Sequence, residues 1–209
     1  GELEKYCESV QVFNRSEKPW TLMNILRTGL SFYPFLVVRN WAKGERSAIE
    51  EKLAVEKFDL IHAETFYVMP HIPKTNIPIL LVEQTVEYLV YNHYAENYPF
   101  AILRPLLFFD VLKMKYWERR FWADASKVAA MSQEDKQIML SQAPDLDVDI
   151  VPNGVDSDYF NKKVESRSKS PIVLYLGNFT WLQNREAVKV LVDKVWPLIK
   201  SEINNARLW

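Results

Sequence analysis

Short apolar runs recur along this chain between stretches with helical spacing, and few folds accept that alternation. The runs are Ser9–Phe13, Phe58–Ala63, Ile79–Glu83, Lys127–Met131 and Val148–Val151, with a sixth at Ile172–Gly177. Runs of this length that are apolar on both alternating faces read as strands buried on both sides. Such strands belong to a parallel sheet whose connections are helices. The expected class is α/β, a Rossmann-like doubly wound parallel sheet.

The helices between the runs carry their own start and stop signals. Residues 41–57 have apolar positions at helical intervals, and Ser47 with Glu50 has capping-box spacing. Ser132 follows a strand and precedes Gln133, Glu134 and Asp135, which reads as an N-cap with acids in the first turn; this helix is expected to reach Gln142 and stop before Pro144. The longest helix is expected from Arg104 to Trp122. Leu107, Val111, Met114 and Phe121 form its apolar stripe, and Lys113, Lys115, Arg119 and Arg120 supply charge. Aromatic stripes at helical spacing usually pack on a sheet with the charges in water, and packing is the expectation here. Peripheral contact of Arg104–Trp122 with a membrane is the alternative.

Asn161–Ser170 is polar, nearly devoid of apolar residues and bounded by Pro171, as an interdomain linker would be. The expected organisation is a first domain over 1–160, a linker over 161–170, and over 171–209 the first strand and helix of a second Rossmann-like domain. One strand and one helix cannot bury both faces of a sheet, so the chain reads as part of a longer protein, incomplete at its start and truncated at its end.

Composition removes several function classes. Lys and Arg total 26 against 27 acids, a net charge of -1, which provides no field for collecting a nucleic-acid backbone. Cys7 is the single cysteine, and His62, His71 and His93 have no partners at zinc-ligand spacing, so neither a disulfide nor a metal site is expected. No apolar run approaches the ~20 residues that span a bilayer, and the N-terminus lacks a signal pattern. The cytosol is the expected compartment, with the inner face of the membrane added if Arg104–Trp122 binds lipid. His62, at a strand end, and His93, in a polar aromatic segment, are both expected to be structural.

Two segments bear on chemistry. In Val148-Asp-Ile-Val-Pro-Asn-Gly-Val-Asp156, Pro152 ends a ladder and Asn153-Gly154 is expected to turn sharply through positive φ. In the second, Ile172-Val-Leu-Tyr-Leu-Gly177 runs into a loop, and Asn184 is expected to cap a helix reaching about Lys200. The free N–H groups of such a helix start can hold a nucleotide diphosphate, and a glycine at the strand end admits it closely.

Together these residues resemble glycosyltransferase family 4, the group 1 glycosyltransferases of two-domain GT-B architecture. The resemblance rests on Phe58-Asp-Leu-Ile-His62, Val82-Glu-Gln-Thr-Val-Glu-Tyr88, Tyr116-Trp-Glu-Arg-Arg-Phe-Trp-Ala-Asp124 and Ala130-Met-Ser-Gln-Glu-Asp135. It continues through Val151-Pro-Asn-Gly-Val-Asp156 with Tyr159-Phe160, and Leu174-Tyr-Leu-Gly177. It implies a retaining transferase that moves a sugar from a nucleotide-sugar donor to a glycan or lipid-linked acceptor without cofactor or metal. Gly177, Asn178, Gln183 and Asn184 would then face the donor phosphates. Gln84 and Glu87 would be the catalytic candidates. Glu83, Thr85, Ser132, Asn153, Gly154 and Asp156 would line the cleft or hinge.

Three departures from the family pattern stand out. Gln84 occupies a place where many relatives carry histidine, and an amide cannot serve as a base. Asn178 and Gln183 stand where many members place Arg and Lys. The family's paired acidic motif would lie beyond Trp209, so the chain is expected to be inactive alone. These departures raise a second reading, a non-catalytic module binding a sugar nucleotide or a partner. A third, an unrelated doubly wound protein, is opposed by the lack of a G-x-G-x-x-G turn after any strand.

Overall fold

The computed structural model describes residues 2–16, 18, 20–161, 170–179 and 182–209. It comprises two compact units, Gly1–Asn153 and Gly154–Trp209.

The first unit opens with α1 (Leu22–Leu30), α2 (Phe35–Asn40) and α3 (Glu45–Val55), followed by β1 (Ile61–Glu64) and β2 (Ile79–Glu83). Next come α4 (Glu87–Glu96), α5 (Arg104–Asp124), β3 (Lys127–Ala130), α6 (Gln133–Gln142) and β4 (Val148–Ile150). The strands form one parallel sheet in the order β1-β2-β3-β4. Ile61 lies opposite Ile79, Leu81 opposite Val128, and Val128 opposite Val148. Leu81, Val128 and Ala130 are fully covered, packed with Phe66, Met114, Trp122 and Met139. Helices flank the sheet, and this α/β architecture is the Rossmann-like one expected from the strand runs.

Three strands fall where their apolar runs are, but three expectations in the first 63 residues are corrected. Ser9–Phe13 joins no ladder, and Val12 is 84% exposed: the run has strand composition, but no strand lies beside it among the described residues to satisfy its backbone. The run Phe58–Ala63 pairs only from Ile61, with Phe58 and Leu60 left exposed. The helix expected over 41–57 is divided. Trp41 closes α2, and Gly44, at φ 86, forms the N-cap of α3, so Ser47 lies inside that helix and caps nothing. The positive φ at Gly44 suits glycine, which has no Cβ to clash there.

The long helix α5 begins with Pro105 in its first turn, where the missing N–H costs nothing. Val111, Met114 and Phe121 are buried as expected, and Glu118 is buried on the same stripe. Lys113, expected in water, turns inward instead. Its Nζ donates to the carbonyls of Thr28 (2.7 Å), Ser31 (3.1 Å) and Tyr33 (3.0 Å). Thr28 lies in the last turn of α1, and Ser31 and Tyr33 follow it, so the cation sits where the helix leaves carbonyls open. Arg120 pairs with Asp124 at 3.1 Å, and the Lys115 ammonium lies over the Tyr88 ring at 5.3 Å.

The second unit contains α7 (Ser157–Phe160), β5 (Ile172–Val173), α8 (Leu182–Val190), a π-turn Leu191–Val195, α9 (Trp196–Glu202) and β6 (Arg207–Leu208). β5 and β6 pair in parallel. The strand expected over 172–177 is paired over two residues because β6 is only that long, with one further bond from Tyr175 N–H to the Trp209 carbonyl at 2.8 Å. The helix expected to start at Asn184 begins at Leu182. It loosens into the π-turn ahead of Pro197, which has no N–H to give to the preceding turn. The linker expected at 161–170 falls, at residues 162–169, outside the described residues.

Candidate active site at the carboxyl ends of the strands

In an open parallel sheet, ligands bind in the crevice beyond the carboxyl ends of the strands. Here that edge is acidic. β1 ends at Glu64 and β2 at Glu83, with Gln84 and Glu87 just beyond.

Glu83 is fully buried. Its Oε1 accepts from Trp122 Nε1 at 2.9 Å and its Oε2 from the Phe66 N–H at 3.3 Å. Burial pushes its carboxyl up to about 8, offset in part by those two donors and reinforced by Glu87 and Glu64. Glu118, on α5, is likewise buried and accepts both the Glu87 N–H (2.7 Å) and the Tyr88 N–H (2.9 Å). It supplies the start of α4 with the acceptor that Val86, the N-cap residue, does not have. Burial, and then the charge of Glu83, hold Glu118 well above the ordinary carboxylate range. Glu87 is half-buried and raised to about 7 by burial, against the pull of Arg39.

Outside these carboxyls lies an exposed polar row. Glu64 receives Gln84 Nε2 at 3.2 Å on one oxygen and lies 3.0 Å from His62 Nε2 on the other. Thr65, next in sequence, has φ 69 and ψ 147, a region that residues other than glycine rarely enter. Its N–H donates to the Val82 carbonyl at 2.8 Å, while its Oγ1 is buried without a partner. A strained residue with an orphaned hydroxyl therefore follows β1 directly, next to a carboxylate and an amide that hydrogen-bond to each other.

Among the residues expected at the site, Glu83, Gln84, Thr85 and Glu87 fall together on this edge. Their environments differ, since Glu83 is buried and Gln84 faces solvent. Ser132 lies at the end of β3, where its Oγ accepts from the Asp135 N–H at 3.0 Å, the N-cap read from the sequence. The sharp turn expected at Asn153-Gly154 does not form. Neither residue has positive φ, the chain runs on without a turn from Val151 to Asp156, and the two units divide between them. Once Pro152 has ended the ladder, the next local bond is the cap of α7, where Asp156 Oδ1 accepts from the Tyr159 N–H at 2.9 Å.

Gly177, Asn178, Gln183 and Asn184 lie in the second unit. Asn184 does not cap α8. It lies in the first turn and donates Nδ2–H to the Asn178 carbonyl at 3.0 Å, while its own carbonyl accepts from Tyr175 Oη at 2.9 Å. A Cβ on Gly177 would come within 3.3 Å of Asn184 Cγ, so glycine here makes room for that asparagine. Gln183 is exposed.

Glu118, Trp122, Glu64, Thr65 and Arg39 were not expected at the site. Some of them had a signal. The stripe of α5 steps 107, 111, 114, 118, 121, so the acid at 118 already occupies a buried helical position. Glu64 and Thr65 follow directly on the apolar run of β1, while Trp122 and Arg39 are recruited by tertiary packing. Among the described residues, no three His, Cys, Asp or Glu side chains are grouped so as to hold a metal ion.

No curated protein matches the chain. The sequence profile of the family described as Glycosyltransferase Family 4 matches residues 8–159, which include the whole sheet of the first unit and every carboxylate of its acidic edge. The chain belongs to glycosyltransferase family 4.

Proposed function

We propose that this protein transfers a sugar from a nucleotide-sugar donor to a hydroxyl of a glycan or lipid-linked acceptor with retention of configuration, and that the acidic edge of the first unit receives the acceptor. The observation that carries this reading is the exposed row His62, Glu64, Gln84, which runs along β1 to the carboxyl ends of two parallel strands, with Glu87 four residues after β2. Amide and carboxylate groups spaced along one edge match the alternating donors and acceptors of a sugar ring. Glu87, raised to about 7, is partly ionised at neutral pH and can accept a hydrogen bond from the attacking hydroxyl. Gln84 can orient that hydroxyl but cannot take its proton.

In the transfer, the bond from the anomeric carbon to the donor phosphate breaks, the bond to the acceptor oxygen forms, and the hydroxyl proton leaves with the diphosphate or a basic group. Gly177, Asn178, Gln183 and Asn184 would address the diphosphate through backbone N–H groups and amides, without a metal. The proposed setting is the cytosol.

The test uses the full-length protein with a panel of nucleotide sugars, scoring release of nucleoside diphosphate with and without glycan acceptors. Acceptor-dependent release is expected. Glu87→Gln should lower kcat by about a hundredfold, the scale of a lost proton-handling group, and Gln84→Ala should raise the acceptor KM. The second reading, a binding module, draws on Gln84 and on the lack of a cation from Gly177 to Asn184. Calorimetric binding of a nucleoside diphosphate with no turnover on any donor would establish that reading instead.

A further inference from the structure

Helix α1 is inside out. Its buried residue is Asn24, with Thr28 half-buried one turn on, whereas Leu22, Met23, Ile25, Leu26 and Leu30 are exposed. A helix on the surface of a water-soluble domain shows the opposite arrangement. The polar inner stripe is fully employed: Asn24 Nδ2 donates to Ser16 Oγ at 3.2 Å, and Thr28 Oγ1 to the Asn24 carbonyl at 2.8 Å. The apolar outer face continues past the helix end. Phe32 is 88% exposed and forms an open apolar groove with Leu112 and Tyr116 of α5.

We propose that α1 and Phe32 seat this protein on a membrane surface containing anionic lipid, with the helix lying in the interface.

Two further features fit that occupant. The first is that each end of α1 has a side-chain partner. Thr21 Oγ1 accepts the Asn24 N–H at 3.1 Å, and Lys113 takes the carbonyls of Thr28 and Ser31. Unsatisfied backbone groups are costly in a lipid environment, and helix ends are where they normally occur. The second is charge. From Lys18 to Gly44 the sequence holds no Asp or Glu, and its exposed cations are Lys18, Arg27 and Lys43, Arg39 being half-buried beside Glu87. Asp110, the acid on the neighbouring stretch of α5, turns inward to accept the Phe35 N–H at 2.9 Å. Lys18 and Arg27 are exposed, and neither meets a carboxylate among the described residues. Trp20, half-exposed and stacked on Phe35 with centroids 4.4 Å apart, has the amphipathic ring favoured at the level of lipid headgroups. An anionic headgroup layer complements the exposed Lys18 and Arg27.

The inference is independent of the transfer reading, because its readout is lipid binding. Full-length protein is floated with vesicles of phosphatidylcholine alone and of phosphatidylcholine with phosphatidylglycerol. Binding is expected on the anionic vesicles, weakened by salt. Leu26→Glu should reduce the bound fraction by at least about tenfold, the scale of withdrawing one leucine from an apolar phase. Val55→Glu, on the exposed end of α3, should change nothing.

As a check that does not depend on loss of binding, Leu26→Cys in a Cys7→Ser background carries an environment-sensitive dye, whose emission should shift to the blue on anionic vesicles. Absence of flotation, flotation unaffected by Leu26→Glu, or an unshifted dye would overturn the proposal. So would a mass that doubles with concentration and reverts in Leu26→Glu, which would assign the face to a second copy.

Discussion

Replacing Glu83 with glutamine should exchange a pH-dependent penalty for a constant one. The wild-type carboxyl, raised by burial from 4.5 to about 8, keeps its proton in the folded state where the unfolded chain has already released it. Stability is therefore complete below about 4.5 and falls as pH rises through about 8. A difference of one proton has a slope of ~1.4 kcal/mol per pH unit, so between about pH 5 and pH 8 this group costs the folded state at most about 4 kcal/mol.

Glutamine cannot ionise, and that loss disappears. Its side chain has one acceptor to offer two donors, Trp122 Nε1–H and the Phe66 N–H, and so one hydrogen bond is forfeited at every pH. That forfeit is about 1 kcal/mol. The two stability curves should cross, with the variant weaker near pH 5 and stronger above pH 8. Urea denaturation at half-unit pH intervals measures both slopes. A variant whose stability declines with pH as steeply as the wild type would refute the reasoning, since the buried proton would then not reside on Glu83.

Glu118→Ala should lower stability by about 3 kcal/mol, because it leaves the Glu87 and Tyr88 N–H groups without an acceptor and opens a void in the core. Glu118→Gln, which keeps one acceptor, should cost about half as much in the same urea titration. Thr65→Gly should raise the unfolding free energy by about 1 kcal/mol, and the urea midpoint with it: relief of strain at φ 69 outweighs the added freedom of the unfolded chain. A lower midpoint for that variant would show that the backbone there is not strained.

Where a segment's partners are local, its sequence was readable. β2 and β3 coincide with their apolar runs, and Ser132 caps α6 because cap and first turn are consecutive. Ser9–Phe13 has the same composition as those strands, yet a strand also requires a neighbour, and composition cannot provide one. α1 left no clear trace for a related reason. Its apolar residues point outward, so the usual rule that the apolar stripe faces the core fails there. At the site, Glu83, Gln84 and Glu87 follow a strand and were found. Trp122 and Arg39 reach it from other helices, and no spacing along the chain announces them.

The carboxylate of Glu118 also bears on how α4 holds its shape. α4 has ten residues, several of them β-branched or aromatic, and no side-chain cap of its own, so alone it falls below the length at which a helix holds in water. Its first turn is completed from a point 31 residues further along the chain. The first turn of α4 therefore has its acceptor only while α5 is docked against it, so the stability of one helix is tied to that of the other.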